Sequence, residues 1–373
     1  MAKASVPPTP LLVLAGAAIA VNAIPGLGSP PERVVQDVVT VALVVILFNG
    51  GTDIGVRRFR SAVVPVLSLG VAGTFLTAAG AAVFAHYALG LDWYVATLVA
   101  TAIAPTDPAV VFSVLGRHEI LGRSGTILEG ESGANDPVGI ALMRSLVAAG
   151  ALSAHSTGRV GLTFALQMVV GVAVGGGGGV ALTWLTRRSP GVWWYRLGTL
   201  VGVALVYVIA TLALGSGFLA VFVAGIVIGD EDVPFKQRVE RFQSLLASAS
   251  EVVAFVVLGA TIDLAVLSRR DVLLPGLALA AMVAFVIRPV FGWLILLPAR
   301  LRANETAFVL FAGLKGAVPL LLGESLLASS VAHASRYYGI VVVVVLFSVL
   351  VQGTLTPLAA KVLRLPMRPI TER

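Results

Sequence analysis

The sequence predicts an all-α polytopic membrane protein of about twelve crossing helices, and three observations carry that expectation. Of its 373 residues, 58% are hydrophobic and 12% charged, about half the charged share of an ordinary soluble domain. The mean hydropathy of +0.97 requires a solvent that can face many apolar surfaces at once, as a bilayer does. Apolar runs of crossing length recur along the whole chain, with basic residues concentrated in alternate connections. This composition excludes a water-soluble fold, and the absence of cysteine excludes disulfides and thiolate metal sites.

The twelve apolar stretches lie near 10–25, 33–52, 61–88, 92–114, 126–149, 160–186, 196–214, 216–229, 248–267, 272–298, 304–328 and 337–361. The first and eighth are short for a full crossing. The first has no basic leader and runs into Pro25 and Gly26, so it reads as a helix rather than a cleavable signal. With a cytoplasmic N-terminus, 18 of the 26 basic residues fall inside and five outside (Arg33, Arg159, Arg269, Arg270 and Arg336), leaving Arg144, Arg288 and Lys315 within spans. That asymmetry places both termini in the cytoplasm of a cell-membrane protein. It also accounts for the net charge of +7 without nucleic acid, which is not an expected partner.

The fourth stretch contains Pro105-Thr106-Asp107-Pro108 and the eleventh contains Gly313-Leu314-Lys315-Gly316-Ala317-Val318-Pro319. Each proline removes a donor and releases the carbonyl four residues earlier, so both helices should break near mid-membrane. Irregular backbone at that depth is tolerated only inside protein or beside a wet cavity. Four and eleven differ by an odd number, so the two broken helices cross in opposite directions. That is the arithmetic of an inverted-topology repeat, 61–150 against 272–361, with the remaining spans as scaffold in a single domain, 1–373. At the breaks, half-helix N-termini carry partial positive charge and C-termini partial negative charge. Asp107 is placed to neutralise the first and Lys315 the second, both as structural charges.

The fifth stretch carries Glu129-Gly130-Glu131-Ser132-Gly133-Ala134-Asn135-Asp136-Pro137. Counting from Thr126, Asp136 lies roughly 15 Å into the bilayer, about halfway across. A carboxylate there is costly and functional by default. Ser132 shares its helix face, Asn135 faces Glu131, and Pro137 releases the Gly133 carbonyl. The resulting cluster of oxygens suits a small dehydrated cation, and a proton would compete with that cation for the one carboxylate. Glu131 is expected to pair with Arg288 at similar depth, with Lys315 as a second partner. Gly175 to Gly179, inside a span, suit close helix packing. Glu251, Asp263, Glu324 and Arg144 are expected near the interfaces, Glu324 alternatively lining an outer funnel. The four histidines form no metal-ligand spacing, and no phosphate-cradling motif occurs, so no cofactor is expected.

At these residues the chain resembles the monovalent cation:proton antiporters, in the NhaP-type sodium/proton exchanger branch. The carrying segments are Thr106-Asp107-Pro108, Gly130 to Pro137, Phe218 to Gly225, Leu258-Gly259, Arg288-Pro289 and Gly313 to Pro319, in the family's order. The resemblance implies the NhaA-like fold, a homodimer of two-domain protomers, and an elevator-like movement of a six-helix core. It further implies that Asp136 binds cation or proton, with help from Ser132, Asn135 and the Thr106 backbone, while Glu131 and Arg288 form a stabilising pair. An Asn-Asp pair, here Asn135-Asp136, looks like the electroneutral branch, exchanging one sodium or potassium ion, or lithium, for one proton.

The chain departs from the family in three places. Where many relatives have a carboxylate it reads Phe48-Asn49-Gly50-Gly51, so Asn49 could coordinate through its amide oxygen but cannot titrate. The Lys315 position is more often arginine, and relatives commonly carry a further N-terminal helix, some with a C-terminal regulatory domain. Two other readings compete with antiport: a sodium-coupled organic-anion symporter on a related inverted-repeat fold, and an intramembrane hydrolase using Ser132. The second lacks a histidine or lysine on the serine's helical face.

Overall fold

In the computed structural model the regular elements of the described residues are helices and one short ribbon. The structure describes residues 9–369, leaving out 25, 108–110, 112–114, 116–117, 121–122, 189–190, 232–235, 300, 328 and 330. Pro108, expected to open the second half of the fourth helix, is among those left out.

The helices are α1 (Thr9–Ala23), α2 (Glu32–Leu67), α3 (Thr74–Leu89), α4 (Trp93–Ile103), α5 (Arg123–Ala149), α6 (Ala154–Arg187), α7 (Val192–Leu212) and α8 (Gly217–Gly229). They continue as α9 (Lys236–Gly259), α10 (Leu264–Leu267), α11 (Arg270–Met282), α12 (Arg288–Leu296), α13 (Ala303–Phe311), α14 (Ala317–Glu324), α15 (Ala334–Phe347) and α16 (Thr354–Val362). Wider, π-type turns at Ser68–Gly73, Val283–Ile287 and Ser348–Gly353 join α2 to α3, α11 to α12 and α15 to α16. The ribbon, β1 (His118–Ile120) against β2 (Met367–Pro369), runs antiparallel with Glu119 opposite Arg368, and it departs from the all-helical expectation.

Among the described residues, six helical runs are long and apolar enough to cross a membrane: Glu32–Leu89, Ser156–Arg187, Val192–Leu212, Gln237–Gly259, Arg270–Ala299 and Ala334–Val362. Three shorter apolar helices accompany them, at Leu12–Ala23, Trp93–Ile103 and Gly217–Gly229. The chain is a multi-pass membrane protein. The expected second and third stretches are two helices that meet at Gly55, where non-helical backbone interrupts α2. Gly55 has φ +64°, a left-handed backbone that glycine adopts without strain, and the Arg57 N–H just beyond it donates to Asp230 Oδ2 at 2.7 Å. The ninth stretch also begins earlier than its apolar window, because the charged turns from Lys236 to Arg241 are helical too, and it stops at Gly259 rather than 267.

The fold divides into two compact units. Unit 2 comprises Asp37–Val63 and Ile140–Ala254. Its core is Phe48, Leu182, Val203, Val206, Ala210, Ala220, Val221, Ala224 and Ile228. Three of the five consecutive glycines are packing positions: a side chain at Gly175 or Gly179 would strike α8, and one at Gly178 would strike Val206 of α7. Gly176 and Gly177 face open space. α2 and α8 also approach closely: a Cβ at Gly225 would stand 2.5 Å from the Phe48 carbonyl oxygen and 3.1 Å from the Gly51 Cα. Backbone atoms cannot turn aside as a flexible side chain can. Gly225→Leu is therefore expected to lower thermal stability by about 1–3 kcal/mol or more, measured by unfolding in detergent, whereas Gly176→Leu should change it little.

Unit 1 comprises Met1–Gln36, Val64–Gly139 and Phe255–Arg373, and the residues of the candidate site described below belong to it, except Asn49 and its partner Asp53. In it α3 packs on α4, α11 on α15, and α14 between α4 and α15. The expected breaks are present: α4 ends at Ile103, just before Pro105, and α13 ends at Phe311, five residues before α14 begins.

Candidate functional site

Asp92 caps α4 by accepting from the Tyr94 N–H at 2.8 Å, and every residue from Val95 to Ile103 except Thr97 is buried. The helix stops there: Ala104 still has helical angles (φ −68°, ψ −46°), and Pro105 to Asp107 carry no regular secondary structure. The second break, Ala312 to Gly316, lies against the first: the Asp107 N–H donates to the Leu314 carbonyl at 2.7 Å. The Asp107 carboxylate occupies the space a side chain at Gly316 would need, so the contact requires glycine. Lys315, 2% exposed, donates from Nζ to the Ala104 and Pro105 carbonyls at 3.0 Å each. A cation is thus applied to carbonyls at the C-terminal end of α4. The Lys315 N–H donates to Ser348 Oγ at 3.1 Å, and Ser348 donates to Gln352 Oε1 at 2.9 Å.

α5 presents Glu131, Ser132, Asn135 and Asp136 to this crossing, all of them buried. Asn135 Nδ2 donates to Thr106 Oγ1 at 2.8 Å, and Thr106 donates to Glu131 Oε1 at 3.4 Å. The Thr106 hydroxyl therefore joins the cluster, where the resemblance points to its backbone. Glu131 meets Arg288 through Nη1 at 2.9 Å and Nη2 at 3.1 Å, a two-pronged pair. Arg288 Nε also donates to the Leu310 carbonyl at 3.0 Å, near the end of α13, and its guanidinium fills the space beside Gly313. Among the described residues, Glu131 is bonded to Arg288 rather than to Lys315.

Asp136 differs from these engaged charges. It is 7% exposed, the Ser132 hydroxyl bonds it from one turn away, and its Oδ1 is shut from solvent with no hydrogen-bond partner among the described residues. The neighbouring Asn135 Oδ1 is also buried and unpartnered. Two adjacent acceptor oxygens are thus directed at no donor, an arrangement that costs stability unless an occupant fills it. Asp107 and Lys315 lie within electrostatic range, one of each sign. Oxygens of this kind suit a hard monovalent cation or a proton.

Thr74, Thr77, Ser348 and Gln352 also line or brace this region. Sequence reasoning missed them because single hydroxyls and amides in apolar helices carry no motif. Thr74 and Thr77 border a cavity with Glu131, Asn135 and Arg288 of about 10 Å³, the room of one water. Asn49 lies in unit 2, where its amide Nδ2 donates to Asp53 Oδ2 at 2.8 Å.

A sequence profile described as "Sodium/hydrogen exchanger, transmembrane" matches residues 1–362. The chain is 33% identical over 324 residues to the K(+)/H(+) antiporter NhaP of Alkalimonas amylolytica, covering 86% of this chain and 56% of that one. It is 32% identical over 336 residues to the K(+)/H(+) antiporter NhaP2 of Shewanella sp. (strain ANA-3), covering 88% and 58%. It is 28% identical over 373 residues to the low-affinity Na(+)/H(+) antiporter NhaS1 of Synechocystis sp., covering 95% and 69%. The chain therefore spans little more than half the length of the K(+)/H(+) antiporters it matches. Its fold is similar to that of the sodium proton antiporter MjNhaP1 from Methanocaldococcus jannaschii, with a TM-score of 0.77 at 22% identity, covering 95% of this chain and 92% of that one. The broken helices, the buried acids of α5 and a profile match along nearly the whole chain agree, and the chain belongs to the transmembrane sodium/hydrogen exchanger family.

Proposed function

We propose that the protein is a secondary antiporter that exchanges one sodium or potassium ion for one proton at Asp136. One observation carries this reading: Asp136 is a buried carboxylate with an oxygen that has no hydrogen-bond partner, while Glu131 and Lys315 beside it are engaged by the protein itself. With the cation bound, Asp136 is charged and balanced; with the proton bound, it is neutral. Empty and charged, it would carry an uncompensated charge through the bilayer, which is the costly state and so the one that moves least. Exchange follows from that difference. Ser132, Asn135 and Thr106 supply further oxygens, and the crossing charges, Asp107 and Lys315, hold the two breaks in register.

The same reading takes alternating access as a movement of the broken helices' unit, both termini as cytoplasmic from the distribution of basic residues, and a homodimer as the working form. The relatives' names, which pair K(+) or Na(+) with H(+), support antiport rather than symport of an organic anion. In proteoliposomes with a trapped pH dye, adding sodium or potassium should collapse an imposed proton gradient. Because one carboxylate alternates between two singly charged partners, a membrane-potential dye should show no exchange-driven signal. A rate that follows imposed voltage would refute the one-for-one stoichiometry.

A further inference from the structure

We infer that Glu324 is a second proton-carrying carboxylate, receiving the proton that leaves Asp136 on its way to the end of unit 1 where α14 terminates. The inference rests on the exchange reading above. Glu324, the last residue of α14, is 1% exposed, with Oε2 shut from solvent and without a hydrogen-bond partner among the described residues. It shares with Asp136 the property of a buried acid with an unsatisfied oxygen.

The packing links the two. α14 meets α5 at Gly139, where a Cβ would stand 3.4 Å from Leu322 Cδ1, and it meets α15 at Gly323, where one would stand 3.1 Å from Tyr338 Cδ2. Gly139 is three residues beyond Asp136, and Leu322 is two residues before Glu324. Three residues on α5 and two on α14 amount to roughly 7.5 Å of helical rise, about one and a half turns. Beyond Glu324 the Tyr338 and Thr261 hydroxyls lie 2.6 Å apart. Tyr338 and Glu32 are both within electrostatic range of the acid.

A proton rather than a metal ion suits this position. An alkali cation needs several oxygens, whereas the buried neighbours in sequence are Leu320, Leu321 and Leu322 of α14 and Leu326 just after it. The charged and titratable groups on the elements around it are Glu32, Asp92 and Tyr94 at the start of α4, Asp136, and His333, Arg336, Tyr337 and Tyr338 at the start of α15. Of the basic groups, Arg336 is directed at Asp271, 3.3 Å away. The transfer balances simply: the O–H bond at Asp136 breaks as one forms on water, and a water O–H breaks as Glu324 is protonated. Nothing is oxidised.

The test is Glu324→Gln in the full chain, with Glu324→Asp as the conservative control, in proteoliposomes whose two sides are buffered separately. Glu324→Gln should keep the cation KM while the maximal rate falls about 100-fold, the lower end of what a positioned proton carrier contributes. Its dependence on pH at the Glu324 side should flatten, and Glu324→Asp should restore much of both. Infrared difference spectra on a pH step should show one carboxyl signal lost in Glu324→Gln and a separate one lost in Asp136→Asn. That measurement reads protonation without transport, so it decides the role of Glu324 even if the wild type exchanges nothing and the antiport reading fails. A wild-type pH profile and an unchanged spectrum in Glu324→Gln would overturn the inference, as would a loss of folding with no carboxyl signal assignable to Glu324 in the wild type.

Discussion

Asp136→Asn is expected to reduce cation-driven proton movement to the level of liposomes without protein, in both directions and for sodium and potassium alike. The substitution keeps shape and hydrogen bonding but removes the charge that a cation must balance. Because Asp136 is not part of the Glu131–Arg288 pair, the variant should fold normally, and a neutral buried amide should leave thermal stability equal or higher. Asp136→Glu should retain some exchange with altered cation preference, since the charge survives while the oxygen moves by one methylene. Proton flux measured with a trapped dye, beside a thermal melt of the same preparation, separates the two quantities. Undiminished exchange in Asp136→Asn would remove the basis of the proposed function.

The opposite pattern is expected at the ion pair. Glu131 is 2% exposed and Arg288 6% exposed, and each satisfies the other through two contacts of 2.9 and 3.1 Å. Removing one partner strands the other charge, so Glu131→Met or Arg288→Leu alone should lower stability by about 3–5 kcal/mol. Replacing both with apolar residues removes the stranded charge, and the double variant should be more stable than either single one. Arg288→Leu has the further effect of taking a donor from the Leu310 carbonyl, so it should be the worse of the two. Unfolding of the four proteins in one detergent measures the coupling; additive losses would show that the pair does not act as a unit.

Together these variants separate two kinds of buried acid that lie five residues apart on one helix. Glu131 is satisfied by protein and is expected to matter for folding. Asp136 keeps one oxygen without a partner among the described residues and is expected to matter for transport. The sequence distinguishes them only by inference, because depth along a helix is readable from residue count while the partner across the helix is not.

The features that the sequence by itself determined are those with a local cause. Pro105 and Pro319 break their helices because proline removes a donor wherever it falls, and the apolar runs are helical because the bilayer leaves backbone no other partner. Asp136 was identifiable because a carboxylate in an apolar stretch is rare. Other features depended on residues distant in the chain. Lys315 reaches carbonyls 210 and 211 residues away. The Thr106 hydroxyl links Asn135 and Glu131, and Glu324 is buried by its neighbours at the end of α14. The two helices that meet at Gly55 are held there by Asp230, far along the chain, which accepts the Arg57 N–H just beyond the kink. Propensity and burial act on a residue through its own chemistry and its near neighbours, so one chain suffices to read them. Hydrogen bonds and ion pairs form only where two elements meet, and that meeting is set by packing, which only the tertiary structure decides.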